Sequence, residues 1–229
     1  MLYELRKYEV MPGKMPALLD RFGNFTVQRW AGHGFHLAGF WTPGFGAPNN
    51  QLFYIWAWES VAERDQKLPV WQKDPDRIKK WEETEKDGPL IRRVSNMLTQ
   101  PTSFCQLEQG NPLGDASGRK PYIFELREYD AVPGKHAALV KRFGDFTQHC
   151  FKKHGFRQVG YWTPLFGGNN NLLTYMLAWE SFEEREHAFA QFRADPERQR
   201  AFAESEKDGV LVERVMNQML EPAAFSPLK

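Results

Sequence analysis

Tyr3-Glu4-Leu5-Arg6-Lys7-Tyr8-Glu9-Val10 is answered 121 residues later by Phe124-Glu125-Leu126-Arg127-Glu128-Tyr129-Asp130-Ala131. The match continues outward from this stretch at the same offset and without a gap. Pro12-Gly13-Lys14 becomes Pro133-Gly134-Lys135, and His33-Gly34-Phe35 becomes His154-Gly155-Phe156. Trp41-Thr42-Pro43 becomes Trp162-Thr163-Pro164, and Glu85-Lys86-Asp87-Gly88 becomes Glu206-Lys207-Asp208-Gly209. From Tyr3 to Phe104, 47 of 102 positions are identical to their partners. A period this long is that of a whole small domain, not of a solenoid unit. The chain therefore reads as two copies of one domain, 1–104 and 121–229, with a polar Gly- and Pro-bearing linker at 105–120.

Within one copy, Tyr3 to Val10 alternates as a strand does. Pro12-Gly13 ends it, and Lys14 to Ala31 carries Ala17, Leu18, Phe22 and Phe25 at helical spacing, closing at Gly32 and Gly34. Phe35 to Trp41 reads as a second strand and Leu52 to Trp58 as a third, joined through a loop rich in Gly, Pro and Asn. Ser60 with Glu63 forms a capping-box pattern at the start of the next helix. Asp74-Pro75 interrupts and restarts that helix, and a last strand runs from about Arg93 to Thr99. The order strand–helix–strand–strand–helix–strand is that of ferredoxin-like α+β domains. A sheet with helices on one face leaves the other face to be covered. The expected fold is two tandem βαββαβ domains packed sheet to sheet as an intrachain α+β barrel.

Composition narrows the partners. The 229 residues are 41% hydrophobic and 26% charged, with a formal net charge of +1 and basic residues spread along the chain. Neither a nucleic-acid footprint nor a membrane span is expected. Met1 to Arg6 carries no leader-like pattern, and Cys105 and Cys150 occupy non-equivalent positions, so a reducing cytoplasm is the expected location. Edge strands leave room for a homodimer of the tandem chain.

The candidate site begins on the first strand. Leu5 and Tyr3 share one face, suited to packing under helices. Glu4, Arg6 and Tyr8 share the other and recur unchanged as Glu125, Arg127 and Tyr129. In a barrel this trio is expected to look into the space between the sheets. Two readings stand: a structural Glu–Arg network, or a pocket in which Arg6 or Arg127 holds an anion while Glu4 or Glu125 acts as a base. Trp41, Tyr54 and Trp58, with Trp162, Tyr175 and Trp179, form an aromatic set that serves either as core or as the wall of a site for a planar ligand. His33 and His154, the only histidines at matching positions, are expected to meet the last carbonyls of a helix, with a base or haem-ligand role as the alternative. No Cys or His partner is expected at ligand spacing from them, so no metal and no cofactor is assigned. Glu85-Lys86-Asp87-Gly88 is expected to be a solvated turn with a glycine cap. Nucleophile-elbow, Walker and dinucleotide motifs are absent from the sequence.

Glu-Leu-Arg-x-Tyr, Pro-Gly-Lys, His-Gly-Phe, the Trp-Thr-Pro loop with Asn49-Asn50 and the closing Pro101-Thr102-Ser103-Phe104 occur in an order that resembles the NIPSNAP family. Pro222-Ala223-Ala224-Phe225-Ser226 closes the second copy in the same manner. The resemblance covers everything but the linker and implies the dimeric α+β barrel fold, here fused in one chain. It brings no agreed activity and no settled catalytic residues. Relatives in the barrel superfamily include cofactor-free monooxygenases, isomerases and haem enzymes, which is a likeness of fold. The leading expectation is a protein that binds a small apolar or aromatic anion in the barrel, between sheet and helices, with room for cofactor-free acid–base or oxygen chemistry. In it Glu4, Glu125, His33 and His154 are the candidate catalytic groups. The alternative is an interaction or assembly module whose retained charges are internal struts.

Overall fold

Each copy realises the expected order in the computed structural model, which describes residues 1–114, 118 and 120–229. The expected linker lies partly outside these residues; in its described part, Cys105, Leu107 and Leu113 pack on the apolar interior. The first copy contains β1 (Leu2–Val10), α1 (Met15–Arg21), α2 (Val27–Gly32), β2 (His36–Pro43), β3 (Gln51–Trp58), α3 (Val61–Gln72), α4 (Pro75–Thr84) and β4 (Ile91–Pro101). The second contains β5 (Ile123–Ala131), α5 (His136–Arg142), α6 (Gln148–Lys153), β6 (Arg157–Phe166), β7 (Leu172–Trp179), α7 (Phe182–Ala194), α8 (Pro196–Ser205) and β8 (Val212–Pro222).

Local chemistry accounts for most boundaries. Ser60 Oγ accepts from the Glu63 amide at 3.1 Å, and the Glu63 carboxylate accepts from the Glu59 amide at 2.6 Å, which closes the capping box that starts α3. Asp74 caps α4 by accepting from the Asp76 and Arg77 amides, with Pro75 in the first turn. The first helix differs from expectation. It is divided by a wider π-helical turn at Phe22–Thr26, repeated at Phe143–Thr147. That turn sets Gly23 so close to Phe225 that a Cβ there would lie 2.8 Å from the ring.

All strand pairs are antiparallel, and the order β1-β3-β2-β8-β5-β7-β6-β4 closes on itself through β4 and β1. The two seams between halves are short. Trp41–Pro43 of β2 pairs with 220–222 of β8, and 98–101 of β4 pairs with 162–166 of β6. Closure removes free sheet edges.

The inward face is the reverse of the one expected. Tyr3 and Leu5 point into the barrel with Phe124, Leu126, Trp41 and Trp162, while Glu4, Arg6 and Tyr8 lie beneath the helices. Both faces of β1 are covered, so alternation alone does not choose between them. The choice follows from charge. Around Tyr3, Leu5 and Trp41 the interior between the sheets is apolar, and Lys7 and Glu128 of the same face border open clefts beside Leu126, whereas the helical layer supplies Arg64 and Arg185 as counter-ions for Glu4 and Glu125. The aromatic set is split by the same alternation: Trp41 and Trp162 line the interior, and Tyr54, Trp58, Tyr175 and Trp179 belong to the helix side.

The halves are also braced by their closing segments. Phe104, at the end of the first copy, packs on Tyr161 of the second, and Phe225 packs on Phe40 of the first, with ring centroids 5.1 and 4.8 Å apart. Within β2 a bulge brings Trp41 back over Gly39, where a Cβ would meet the indole at 2.2 Å; Gly160 and Trp162 repeat the arrangement. Gly39→Ala is therefore expected to cost about 1–3 kcal/mol through overpacking. Urea unfolding of the whole chain checks it, and an unchanged midpoint would mean that Trp41 moves aside freely.

Candidate ligand-binding site

Glu4 is fully buried, and it is saturated. Its Oε1 accepts from Arg6 Nη1 at 2.6 Å, Asn96 Nδ2 at 3.1 Å and Arg64 Nη2 at 3.3 Å. Its Oε2 accepts from Arg64 Nε at 2.8 Å and Trp58 Nε1 at 3.1 Å. Glu125 has the same set in Arg127, Asn217, Arg185 and Trp179. Burial by itself would raise the pKa of Glu4, but the hydrogen bonds and charges of Arg64 and Arg6 outweigh it and hold the carboxyl below its ordinary value. Both glutamates are permanent anions at neutral pH, and their lone pairs are already engaged. Arg64 with Arg185 and Asn96 with Asn217 are identical between the copies, but they lie far along the chain from the first strand, whose alternation gives no sign of them.

Arg6 looks two ways. While Nη1 holds Glu4, Nε donates to Tyr54 Oη at 2.8 Å, and Tyr54 donates onward to Tyr8 at 2.9 Å. Burial pushes the Tyr54 hydroxyl well above its ordinary pKa, so it remains a proton donor. The Arg6 guanidinium stacks 4.6 Å from the Trp56 ring centroid and borders a cavity of about 350 Å³ between the sheet and helices α2, α3 and α4. That volume falls in the range of small-molecule sites.

The residues of the cavity wall combine aromatic side chains with buried donors that have no acceptor in the protein. Trp30, Trp56, Trp71 and Trp81 supply the surface. Thr26 Oγ1, Trp30 Nε1, Trp56 Nε1 and Arg77 Nε are buried and have no hydrogen-bond partner within the protein. Arg77 lies 4.5 Å from the Trp81 ring centroid, and buried Arg21 lies 3.9 Å from the same ring. Arg21 is held by Glu85 at 2.7 Å, as Arg142 is by Glu206. The Glu-Lys-Asp-Gly segment is thus not merely a solvated turn: its glutamate neutralises a buried arginine.

The second half keeps the arginines and changes the cage. Trp30, Trp56, Trp71 and Trp81 correspond to Phe151, Leu177, Phe192 and Phe202, and Leu68 corresponds to Phe189. The Phe189 ring lies buried 5.1 Å from the Arg127 guanidinium, covering the position that Leu68 leaves open above Arg6. At these cage positions only the first half has indoles.

The remaining candidates lie elsewhere. Trp58 and Trp179 stand behind the site as donors to the glutamates, and Trp41 and Trp162 are in the barrel interior. Arg6 and Tyr8 line the cavity with Tyr54 hydrogen-bonded to both, and Arg127, Tyr129 and Tyr175 repeat the cluster in the second half, where Phe189 lies against Arg127. His33 and His154 end their helices through backbone bonds to Arg29, Trp30, Cys150 and Phe151. Their side chains reach the capping carboxylates instead of carbonyls: His33 Nε2 is 2.5 Å from Asp74, and His154 Nε2 is 2.8 Å from Asp195. The expectation that no cysteine stands at ligand spacing also needs correction. Cys150 precedes His154 by four residues, and its sulfur lies in the same cluster.

Fold and cavity define an eight-stranded α+β barrel with a tryptophan-walled pocket under its first helical layer. The same fold occurs in a Lactobacillus acidophilus NCFM protein proposed to be a monooxygenase (TM-score 0.61, 11% identity, 97% of this chain and 94% of that one). It occurs also in an anthrone oxidase-like protein (TM-score 0.57, 11% identity, 96% and 90%). At that identity the likeness is one of fold alone. The NIPSNAP family model matches residues 3–106 and 124–227, and the chain belongs to the NIPSNAP family. It is 29% identical to human Protein NipSnap homolog 3A over 99% of this chain and 85% of that protein, and 28% identical to mouse Protein NipSnap homolog 3B over the same shares. Among the described residues, no helix is long and apolar enough to cross a membrane.

Proposed function

We propose that this protein binds a small anion with a flat apolar body in the cavity of its first half, and that the second half is a structural counterpart. The carrying observation is the coincidence of Arg6 and Arg77 with four tryptophans and several unused donors around one cavity. Buried donors without acceptors favour a ligand that accepts hydrogen bonds, and arginine favours a carboxylate or similar oxyanion. Indole faces favour a planar apolar remainder. The groups present support binding more than proton transfer, since Glu4 is saturated by its donors and His33 is tied to Asp74.

Titration with 1-naphthoate, indole-3-acetate, salicylate and decanoate, followed by tryptophan fluorescence and calorimetry, tests the reading. At least one aromatic acid is expected to bind, with one site per chain. Arg77→Met removes a charged donor without breaking an ion pair, and should weaken binding about 10- to 100-fold, the equivalent of roughly 1.5–3 kcal/mol. No binding across the panel, or equal binding by Arg77→Met, would move the weight to an interaction module with internal ion pairs.

A further inference from the structure

The capping carboxylates of α4 and α8 meet different neighbours. In the first half Asp74 Oδ2 is met by the Arg29 guanidinium at 2.6 Å together with His33. At the position of Arg29 the second half has Cys150. There Asp195 Oδ2 faces the Cys150 sulfur at 3.8 Å, His154 Nε2 at 2.8 Å and Lys153 Nζ at 2.9 Å. The sulfur, imidazole and carboxylate atoms all lie within 4.8 Å of one another, and Cys150 and Asp195 are buried.

We propose that Cys150, His154 and Asp195 form a binding site for a divalent cation of the zinc class. The set combines thiolate, imidazole and carboxylate, donors that zinc accepts together. Cys150 and His154 stand four apart around the end of α6, and Asp195 is fixed from the other side because its Oδ1 is committed to the Glu197 and Arg198 amides. The Lys153 ammonium, 52% exposed, already sits between Asp195 and Glu197, so a cation is held at this place by two carboxylates. A divalent ion displaces that ammonium, which keeps Glu197 within reach as its partner. Burial, followed by the charge of Asp195, pushes the thiol up to about 11. Binding replaces the S–H bond with a metal–sulfur bond and releases that proton; the Nε2–H proton that His154 gives to Asp195 moves through solvent to Nδ1, so that Nε2 and the Asp195 carboxylate both donate lone pairs. No oxidation state changes.

The test uses the full-length chain without a histidine tag, titrated with Co²⁺ and then Zn²⁺. One equivalent of Co²⁺ should give a thiolate-to-cobalt charge-transfer band that Zn²⁺ bleaches, with about one proton released per ion. Cys105→Ala should retain the band. Cys150→Arg, which installs the partner that Arg29 is for Asp74, should abolish it while keeping Asp195 paired. His154→Gln should weaken Zn²⁺ by more than the ~10–100-fold typical of losing an outer partner of a ligand. A wild-type chain with no band in millimolar Co²⁺ overturns the proposal, as does a band that survives in Cys150→Arg. If Cys150→Arg does not fold, Cys150→Ser is read in the same way.

Discussion

Glu4→Gln should be the most destabilising single isosteric change in the first half, at about 3–5 kcal/mol. In a chain of this size that corresponds to a fall in Tm of roughly 6–20 °C. The amide cannot accept from Arg6, Arg64, Asn96 and Trp58 together, and it leaves two guanidinium groups facing each other without their shared anion. The pH dependence is the sharper signature. The folded-state pKa of Glu4 is depressed below its unfolded value of about 4.3, so its contribution is complete above that value and lost as pH falls through the folded value. The gap between wild type and Glu4→Gln should be widest near neutrality and close in acid. Denaturant unfolding across pH measures it. A gap that does not narrow below about pH 4 would mean that the carboxylate's charge is not what holds the network together. Glu125→Gln should behave alike, because Arg185, Arg127, Asn217 and Trp179 repeat the arrangement.

The architecture was legible because an ungapped offset carries both turn chemistry and strand alternation. Pro12-Gly13, Ser60 with Glu63, and Asp74-Pro75 are local signals that act within a few residues, and they repeat. Which face of β1 turns inward was not legible. Alternation groups Tyr3 with Leu5 and Glu4 with Arg6, but the decision rests on Arg64, sixty positions away on α3. The site was hidden for a related reason. Identity between copies selects Glu4, Arg6 and Tyr8, residues both halves need to join sheet to helix, and passes over Trp30, Trp56, Trp71 and Trp81 because their partners differ. Yet six of the eight tryptophans lie in the first copy. With a ligand in the first-half cavity, as proposed, the specialised wall is where the copies diverge, and the shared residues are the frame that both halves require.

Leu68→Phe should therefore abolish binding without harming the fold. Phe189 demonstrates that an aromatic ring fits at this position above the strand-borne arginine, where it lies buried against Arg127. In the first half the ring would enter space that Leu68 borders, between Arg6 and Trp71. Affinity for any aromatic acid bound by the wild type should fall at least about 100-fold, equivalent to some 2.7 kcal/mol. Stability should stay level or rise, since apolar surface is added where a cavity existed. The reciprocal Phe189→Leu should cost about 1–3 kcal/mol by opening a void. It should not create a second strong site, because Phe151, Leu177, Phe192 and Phe202 offer no indole N–H. Adding Phe192→Trp and Leu177→Trp to Phe189→Leu would supply those donors, and measurable binding at the second half should then appear in calorimetry as a stoichiometry above one. If Leu68→Phe binds as the wild type does, the ligand lies outside this cavity. If it loses binding together with its fold, the ring was not accommodated; the smaller Leu68→Met then has to give a graded loss of affinity in a stable chain for the cavity to remain the site.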